Sequence, residues 1–304
     1  MPRRSPLAFS SSLAALSLLL ATWTPVAAFG AEPDAEEFHM GLVPSDPAEV
    51  KGLPAAPVYT DYIPARVDLS RLVPPVGDQG GVGSCTAWSV GYAARAMYVA
   101  WLEGRDVSKP ENVPSPEFIY ASTNLKPGDC EGGSTIVRVM SFLKNGAPSM
   151  ADAPYSDGKM LSAKCVRPSA QESALKRDFF TDTPSSIDLS TVDQAKAELT
   201  QGHPVVIGVQ VSRSFMRLPA GVAYEGEWKG YYSKKFKESV PKPQQLGGHA
   251  ITLIGFDDDR QAFKLVNSWG PKWGDRGFGW LSYRAYLDRT IVTEAFSMQP
   301  ARPH

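Results

Sequence analysis

The feature that most constrains the fold of this chain is a polar, glycine-rich turn that leads directly into an apolar helix. Residues 78–89 read Asp-Gln-Gly-Gly-Val-Gly-Ser-Cys-Thr-Ala-Trp-Ser, which places Cys85 at the start of the helix. From Cys85 to Trp101 the apolar residues recur with a mixed three- and four-residue spacing and cover most of the helix circumference. A helix of this kind is buried on nearly all sides, so the sequence predicts a central helix with other elements packed around it.

Cys85 lies where a thiol can act as a nucleophile. The unpaired amides and the positive dipole end of a helix N-terminus favour the thiolate, which is the reactive form. Gln79, in the same turn, carries a side-chain amide that could donate a hydrogen bond near the sulfur. A buried structural cysteine is the ordinary alternative for this residue type. The surrounding turn and the motifs further along the chain favour the nucleophile.

The candidate base follows by elimination among the four histidines. His39 lies in the N-terminal segment, His304 is the last residue, and His203 precedes a proline at the mouth of a strand. His249 remains, in Gly-Gly-His-Ala at the start of an apolar strand that would hold the ring rigidly. The alternative is a core histidine with satisfied hydrogen bonds.

Asn267, in the motif Asn-Ser-Trp-Gly, is a candidate for orienting the imidazole of His249. Trp269 would shield that hydrogen bond from water. An ordinary turn between strands is the alternative interpretation of this motif. Gln, Cys, His and Asn in this order indicate a cysteine hydrolase with an oxyanion donor.

Several motifs together resemble those of the papain-like cysteine peptidases. The matching stretches are 75–85, 130–133, 248–250 and 267–279. Within this family the chain looks like the compact bacterial secreted members that carry Gly-Ser-Cys-Thr and a short leader. The resemblance implies an α+β fold of two lobes, a helical left lobe and an antiparallel β-barrel right lobe, with the active-site cleft between them.

The resemblance also implies the chemistry. Peptide bonds would be hydrolysed through a thioester by a thiolate–imidazolium pair of Cys85 and His249. Gln79 would contribute to the oxyanion hole, together with the backbone amide of Cys85, and Asn267 would orient His249. A cysteine-type peptidase, with protein or peptide substrates, is therefore the expected activity.

Five further residues are candidates for binding the substrate. Gly132 and Gly133 match the stretch that pairs its backbone with an extended peptide, although a glycine turn explains them equally well. Gly248 and Ala250 match positions that line the pocket for the residue second from the scissile bond. Trp269 completes this set.

Three departures from the family pattern are visible. Thr86 stands where an aromatic residue is usual, and Trp88 could compensate. Val82 replaces a cysteine that normally bridges to the position of Cys130. The separation of Cys85 and His249 also exceeds that of the family, and we assign the extra length to a loop over Glu225–Gln245 that could shape specificity.

The chain has three cysteines, an odd number. In an oxidising compartment this count suggests one disulfide and one free thiol. Because the context of Cys85 favours a free, reactive thiol, we predict a bridge between Cys130 and Cys165. The alternative is that all three are reduced.

The N-terminus has the regions of a secretory signal peptide. Residues 1–28 contain Arg3 and Arg4, then an apolar run, then a small-residue cleavage site. The run is too short for a membrane anchor, the alternative interpretation, because spanning a bilayer takes about 20 apolar residues. We therefore expect a secreted or periplasmic protein without stable membrane insertion.

The remaining organisation is one leader and one domain. Residues 29–60 are rich in Pro, Ala, Glu and Asp, which indicates a short extended leader, and residues 61–304 are predicted to form the peptidase domain. Val58–Pro64 is a candidate for a stretch that runs near the cleft. Apolar periodicity predicts helices over Asn112–Ala121, Ser134–Leu143 and Ser190–Gly202, and strands over Pro204–Val211, His249–Phe256, Ala262–Val266 and Phe278–Tyr283.

Composition and net charge limit the classes of molecule that this chain is expected to bind. The net charge of −1 gives no indication of nucleic-acid binding. No metal cluster or phosphate-binding loop is visible in the sequence, so we expect no cofactor. We expect a monomer, and proteinaceous cysteine-protease inhibitors are candidates for further partners. Two other functions stay open: a catalytically silent peptide-binding protein of the same fold, and another cysteine acyl-transfer enzyme such as an amidase or transpeptidase.

Overall fold

The computed structural model describes residues 38–59, 62–156, 165–226 and 246–299. The predicted signal peptide at 1–28, the start of the leader and most of the loop over Glu225–Gln245 lie outside the described residues. The helices are α1 (Pro47–Lys51), α2 (Ala96–Leu102), α3 (Pro116–Thr123), α4 (Ile136–Leu143), α5 (Ala170–Ser173), α6 (Asp193–Thr200), α7 (Arg213–Met216) and α8 (Tyr283–Leu287). The strands are β1 (Arg66–Asp68), β2 (Ser185–Ser186), β3 (Val205–Val211), β4 (Ala223–Tyr224), β5 (Gly247–Asp257), β6 (Ala262–Val266), β7 (Phe278–Ser282) and β8 (Val292–Ser297).

The apolar helix that follows Cys85 is central, as the sequence predicts. It runs as a π-helical stretch over Ala87–Arg95, every residue of which is buried, and continues as α2. Gly91 lets a neighbouring helix approach closely, because a Cβ at this position would lie 2.4 Å from Cδ1 of Ile119 in α3. The helical part of the fold is built around this contact.

Helices α3 and α4 flank the central helix, and each begins at a hydroxyl cap. Ser115 accepts a hydrogen bond from the amide of Phe118, and Thr135 accepts one from the amide of Arg138. Helix α3 therefore begins at Pro116, later than the predicted Asn112, because Pro110–Asn112 forms a separate 3₁₀ turn before the cap.

The second half of the chain forms one sheet, with strand order β2-β8-β3-β5-β6-β7-β4 and with β1 paired to β5. The pairs are antiparallel except β4 with β7. The α+β architecture is confirmed. Within the described residues, however, the sheet is not closed into a barrel, since its edge strands β2 and β4 have two residues each and do not pair with one another.

The predicted strand over Phe278–Tyr283 ends one residue earlier than expected. Ser282 is the cap of α8, and its hydroxyl accepts from the amide of Ala285. Strand β8 is absent from the sequence-based prediction because Thr293 and Glu294 interrupt its apolar residues. It nevertheless pairs with β3 near the middle of the sheet.

Cys130 and Cys165 form the predicted disulfide, with their Cα atoms 5.1 Å apart. Cys85 is a free and buried cysteine. None of the helices in the described parts of the chain is both long and apolar enough to cross a membrane.

Candidate active site

Cys85 sits at the start of the central helix with its sulfur enclosed by backbone amides. The Ala250 N–H donates to its Sγ at 3.4 Å, and the amides of Thr86 and Gly41 also favour the thiolate. The side chain is fully buried. Burial outweighs these amides and raises the pKa of the Cys85 thiol to about 12, so the thiol is neutral in this arrangement.

His249 and Asn267 form a buried hydrogen bond of 2.7 Å between Nε2 and Oδ1. The Ser268 amide also donates to this Oδ1, at 2.8 Å, which identifies it as the acceptor and His249 Nε2 as the donor. Neutral His249 therefore carries its proton on Nε2, and its Nδ1 has no hydrogen-bond partner among the described residues. Burial lowers the pKa of His249 to about 4, although the bond to Asn267 opposes this shift.

Trp269 covers the imidazole. Its ring stacks on that of His249, with centroids 4.3 Å apart and an interplanar angle of 23°. Trp269 is buried and also contacts Phe215 and Trp273. The indole therefore excludes water from one face of the His249 ring.

The side chain of Gln79 is fixed at both of its polar atoms. Its Oε1 accepts from the hydroxyl of Ser268 at 2.7 Å, and its Nε2 donates to the carbonyl of Val82 at 2.8 Å. The second N–H of Nε2 donates to the carbonyl of His39 at 3.0 Å. Gln79 thus presents one oriented N–H donor to the carbonyl group of His39.

That carbonyl belongs to the leader. Residues 38–45, named here the cleft segment, lie across the site as an extended chain. The amides of Gly41 and Leu42 donate to the Gly248 carbonyl at 3.3 and 3.0 Å. On the other side, Ser134 donates to the Gly41 carbonyl at 2.9 Å and accepts from the Val43 amide at 3.0 Å. The cleft segment therefore occupies the space between the helical part and the sheet.

The end of the cleft segment that begins at Phe38 packs on Trp269, the residue whose ring covers His249. The Phe38 ring stacks on Trp269 with centroids 4.8 Å apart, and Trp269 Nε1 donates to the His39 carbonyl at 3.0 Å. The His39 ring lies 3.4 Å from Glu131. The first residues of the cleft segment are therefore anchored on both sides of the cleft, at Trp269 and at Glu131.

Residues 38–45, and not the described residues of the predicted stretch Val58–Pro64, fill the cleft. Val58 is 87% exposed and Tyr62 83% exposed. The segment that fills the cleft lies earlier in the leader and is held by backbone hydrogen bonds and by the side chains of Phe38 and Leu42.

Of the five candidate substrate-binding residues, Trp269 bonds to the His39 carbonyl, and the other four differ in their contacts with the cleft segment. Gly248 accepts its amides, and Ala250 shares a buried cluster with Leu42. A Cβ at Gly133 would lie 2.5 Å from the Gly41 carbonyl oxygen. Gly132 donates within its own turn, to Asp129.

The sequence analysis missed two residues of this site. Ser134, directly after the glycine pair, exchanges both backbone hydrogen bonds with the cleft segment. Ser268 fixes Gln79 and Asn267. Its place within Asn-Ser-Trp-Gly was the only available signal. In the described parts of the chain, no three His, Cys, Asp or Glu side chains cluster in a way that could hold a metal ion.

Comparison with known proteins gives a consistent result. The family described as "Papain family cysteine protease" matches residues 63–298. A cathepsin B-like protein of Giardia intestinalis is 29% identical over 240 residues, covering 76% of this chain and 71% of its own. Peptidase 1 of Euroglyphus maynei is 27% identical over 237 residues, covering 75% of this chain and 64% of its own.

Solved structures share the fold. Xylellain, a cysteine protease from Xylella fastidiosa, superposes with a TM-score of 0.69 at 23% identity, covering 89% of this chain and 99% of its own. A procathepsin B from Trypanosoma congolense gives a TM-score of 0.67 at 16% identity, with 87% of each chain covered.

Proposed function

The chain belongs to the papain family of cysteine proteases and is a cysteine peptidase, in which we propose that Cys85 is the nucleophile and His249 the general acid and base. In this proposal Asn267 orients His249, and Gln79 donates a hydrogen bond to the oxyanion. The observation that carries the proposal is the 2.7 Å bond between His249 Nε2 and Asn267 Oδ1. This bond leaves Nδ1 as the nitrogen available to the thiol, and the next amide along the chain, that of Ala250, bonds to the Cys85 sulfur.

The proposed reaction has two stages. The Cys85 thiolate attacks the carbonyl carbon of the peptide bond, and the imidazolium of His249 gives its Nδ1 proton to the departing amine, which leaves a thioester. His249 then takes a proton from a water molecule that attacks the thioester. The acid product leaves, and the Cys85 thiolate and the His249 imidazolium are both restored.

Gln79 and the backbone amide of Cys85 stabilise the oxyanion in both stages. The carbonyl of His39 in the cleft segment already accepts from Gln79 Nε2, and so occupies the place that a substrate carbonyl would take. Removing a donor of this kind typically costs about 2.7–4 kcal/mol in the transition state.

The cleft segment holds this enzyme latent in our proposal. It buries Cys85 and His249, and in this state burial keeps the pKa of the thiol high and that of the imidazole low. Both groups are then neutral near pH 7. Displacing the cleft segment readmits water and allows the thiolate–imidazolium pair to form.

Alkylation of the full chain tests the catalytic assignment. The probe is an epoxysuccinyl or iodoacetamide reagent at mildly acidic pH, applied before and after activation by limited proteolysis of the leader, and mass spectrometry locates the adduct. We expect fast labelling at Cys85 after activation, no labelling in Cys85→Ala, and strongly slowed labelling in His249→Ala.

Two results would contradict this assignment. Labelling of Cys130 or Cys165 in place of Cys85 would show that Cys85 is not the nucleophile. Slow labelling after activation, together with failure to hydrolyse a denatured protein, would favour a silent peptide-binding protein of the same fold.

We further propose export, with residues 1–28 removed as a signal peptide. The disulfide between Cys130 and Cys165 supports an oxidising compartment. A secreted or periplasmic protein with residue 29 at its N-terminus is the expected result when the exported form is sequenced.

A further inference from the structure

The leader is attached to the rest of the protein at two separate places. The first is the cleft segment, which ends at Ser45, where the amide donates to Glu294 Oε2 at 3.1 Å. The second is residues 54–59, named here the edge segment. Residues 46–52 connect the two and include α1, in which no residue is buried. The leader is therefore fixed on both sides of an exposed linker.

The edge segment adds a short parallel strand to the sheet. Ala55 forms a parallel bridge with Ser186 in β2. The Ala56 amide donates to the Ser186 carbonyl at 2.8 Å, and the Ser186 amide donates to the Pro54 carbonyl at 2.9 Å. Unpaired groups at the edge of a sheet are a template for pairing with another chain. The edge segment therefore covers the side of β2 that β8 leaves free.

Side chains also hold the edge segment in place. Ala56 is buried in the main apolar cluster of the sheet, and its carbonyl accepts from Gln194 Nε2 in α6 at 2.9 Å. The Tyr59 hydroxyl lies 3.4 Å from Nδ1 of His203. Strands β8 and β3 lie between β2 and β5, the strand that carries His249. The edge segment is thus a part of the folded domain that does not occupy the cleft.

The exposed linker carries the one basic residue of this region. Between positions 5 and 65 the sequence contains a single lysine or arginine, Lys51, which Gly52 follows. Lys51 is exposed and is the last residue of α1, a helix of five residues. A helix this short is marginal in water, and exposed connections are the preferred sites of proteolytic cleavage. Peptidases of the trypsin class cleave after lysine or arginine, because an aspartate in their pocket pairs with the cation.

We propose that the bond between Lys51 and Gly52 is a processing site for a peptidase that cleaves after basic residues, and that the edge segment stays in the active enzyme. Hydrolysis adds water across this bond and leaves a carboxylate on Lys51 and a new amino terminus on Gly52. This inference rests on the proposed function, in which the cleft segment keeps the enzyme latent. It adds the site of release and divides the leader into a removable and a permanent part.

Cleavage of the linker changes how the cleft segment is held. In the uncut chain a short tether keeps the cleft segment at an effective concentration in the millimolar range. After cleavage, rebinding depends on the much lower bulk concentration of the released peptide. The peptide that ends at Lys51 therefore leaves on dilution. The edge segment remains covalently joined to the domain, since the next basic residue, Arg66, lies in β1 and pairs with β5.

Limited digestion of the full chain with trypsin, followed by dilution, tests the proposal. Three quantities are measured: the amino-terminal sequence of the product, release of the peptide that ends at Lys51 by gel filtration and mass spectrometry, and the rate of alkylation of Cys85. We expect a stable product that begins at Gly52, release of the peptide, and alkylation that is faster by about tenfold or more.

Variants of Lys51 separate this cut from trypsin cleavage elsewhere in the chain. Lys51→Gln should abolish all three changes, and Lys51→Arg, which keeps a basic residue, should retain them. Lys144→Gln is the matched control, because Lys144 is also an exposed lysine at the end of a helix, α4. It should respond to trypsin as the wild type does.

A second pair of variants tests the permanent part of the leader. Ala56→Asp places a charge in the buried cluster, whereas Ala55→Asp places the same charge on an exposed neighbour. We expect the urea midpoint of the trypsin product to be lower in Ala56→Asp than in Ala55→Asp. Failure of Ala56→Asp alone to fold would support the same conclusion. Equal midpoints would overturn the permanent role of the edge segment.

Three results would overturn Lys51 as the site of release. They are equal activation of Lys51→Gln and the wild type, fast alkylation while the bond between Lys51 and Gly52 is intact, and a cleaved peptide that stays bound after dilution. Failure of the proposed function gives a different result. A peptide that is released while alkylation of Cys85 stays slow supports the processing site and counts against Cys85 as the nucleophile.

Discussion

Ser268 and Gln79 are joined by a hydrogen bond of 2.7 Å from the serine hydroxyl to Oε1 of the glutamine. The amide of Ser268 also donates to Asn267 Oδ1. One residue thus sets the orientation of two side-chain amides, one beside the candidate oxyanion position and one beside the candidate base. Gln79 could not present its Nε2 to a substrate carbonyl if this amide were rotated by half a turn.

We expect Ser268→Ala to lower kcat about three- to tenfold, since a neutral hydrogen bond contributes about 0.5–1.5 kcal/mol. Gln79→Ala should be more severe, at about 10²–10³-fold. Peptide hydrolysis by the activated enzyme is the measurement.

The double variant Ser268→Ala with Gln79→Ala tests whether Ser268 acts by positioning Gln79 or by a general effect on the enzyme. If Ser268 acts through Gln79, Ser268→Ala should cost almost nothing when Gln79 is already alanine. Equal losses in both backgrounds would assign the effect of Ser268 to Asn267 or to the fold.

Leu42→Ala should activate the full chain. Leu42 is buried, and its Cδ2 would lie 2.7 Å from a Cβ at Gly208 in β3. The truncation leaves the space above Gly208 partly empty, and large-to-small changes of a buried side chain cost about 2–5 kcal/mol. The cleft segment would dissociate more often, and alkylation of Cys85 in the full chain should rise by tenfold or more.

Val58→Ala is the control within the leader, because Val58 is 87% exposed. Its alkylation rate should equal that of the wild type. Equal rates for Leu42→Ala and the wild type would show that the cleft segment does not limit access to Cys85.

The latent state should lose stability in acid through His249. Its pKa is lowered from 6.5 to about 4 by burial, so between these values the unfolded state binds more protons than the folded state. The stabilising contribution is complete above pH 6.5 and is lost as the pH falls towards 4. On the order of 3 kcal/mol is at stake, since one pKa unit corresponds to about 1.4 kcal/mol.

Urea unfolding of the full chain at pH 7 and pH 4.5 measures this loss. His249→Ala should show a smaller difference between the two conditions than the wild type, because carboxyl groups elsewhere contribute equally to both. If the free energy of unfolding falls equally with pH in His249→Ala and in the wild type, His249 is excluded as a source of the acid sensitivity.

The disulfide between Cys130 and Cys165 closes a sequence separation of 35 residues, and a loop of this size is associated with a loss of roughly 3–4 kcal/mol when the bridge is removed. We expect that loss in the free energy of unfolding of the variant with both cysteines changed to serine. A reducing agent should bring the wild type to the level of the variant and leave the variant unaffected. A wild type that is insensitive to reduction would contradict a structural role.

The features of the fold and the candidate site that could be predicted are those marked by a pattern within a short stretch of sequence. The central helix followed from its apolar spacing, Cys85 from its turn, and His249 from elimination, because each of these signals lies within a few residues. The structure brings His249 and Asn267 into contact, as the sequence analysis expected, while their catalytic roles stay predictions.

The path of the leader could not be predicted for a physical reason. Its contacts with Gly248 and Ser134 are backbone hydrogen bonds, which most sequences can make. Ser45 and Glu294 are 249 positions apart in the chain, and nothing local marks either as a partner. Strand β8, with polar residues between its apolar ones, gave no periodic signal of its own.

The shared use of one cleft by the cleft segment and the proposed substrate has an evolutionary consequence. A mutation that reshapes the space above Gly208, where Leu42 lies, alters how tightly the leader binds and also the cleft in which a peptide would bind. A lineage that acquires a new substrate preference must therefore revise its leader in step, or lose the restraint that the leader supplies.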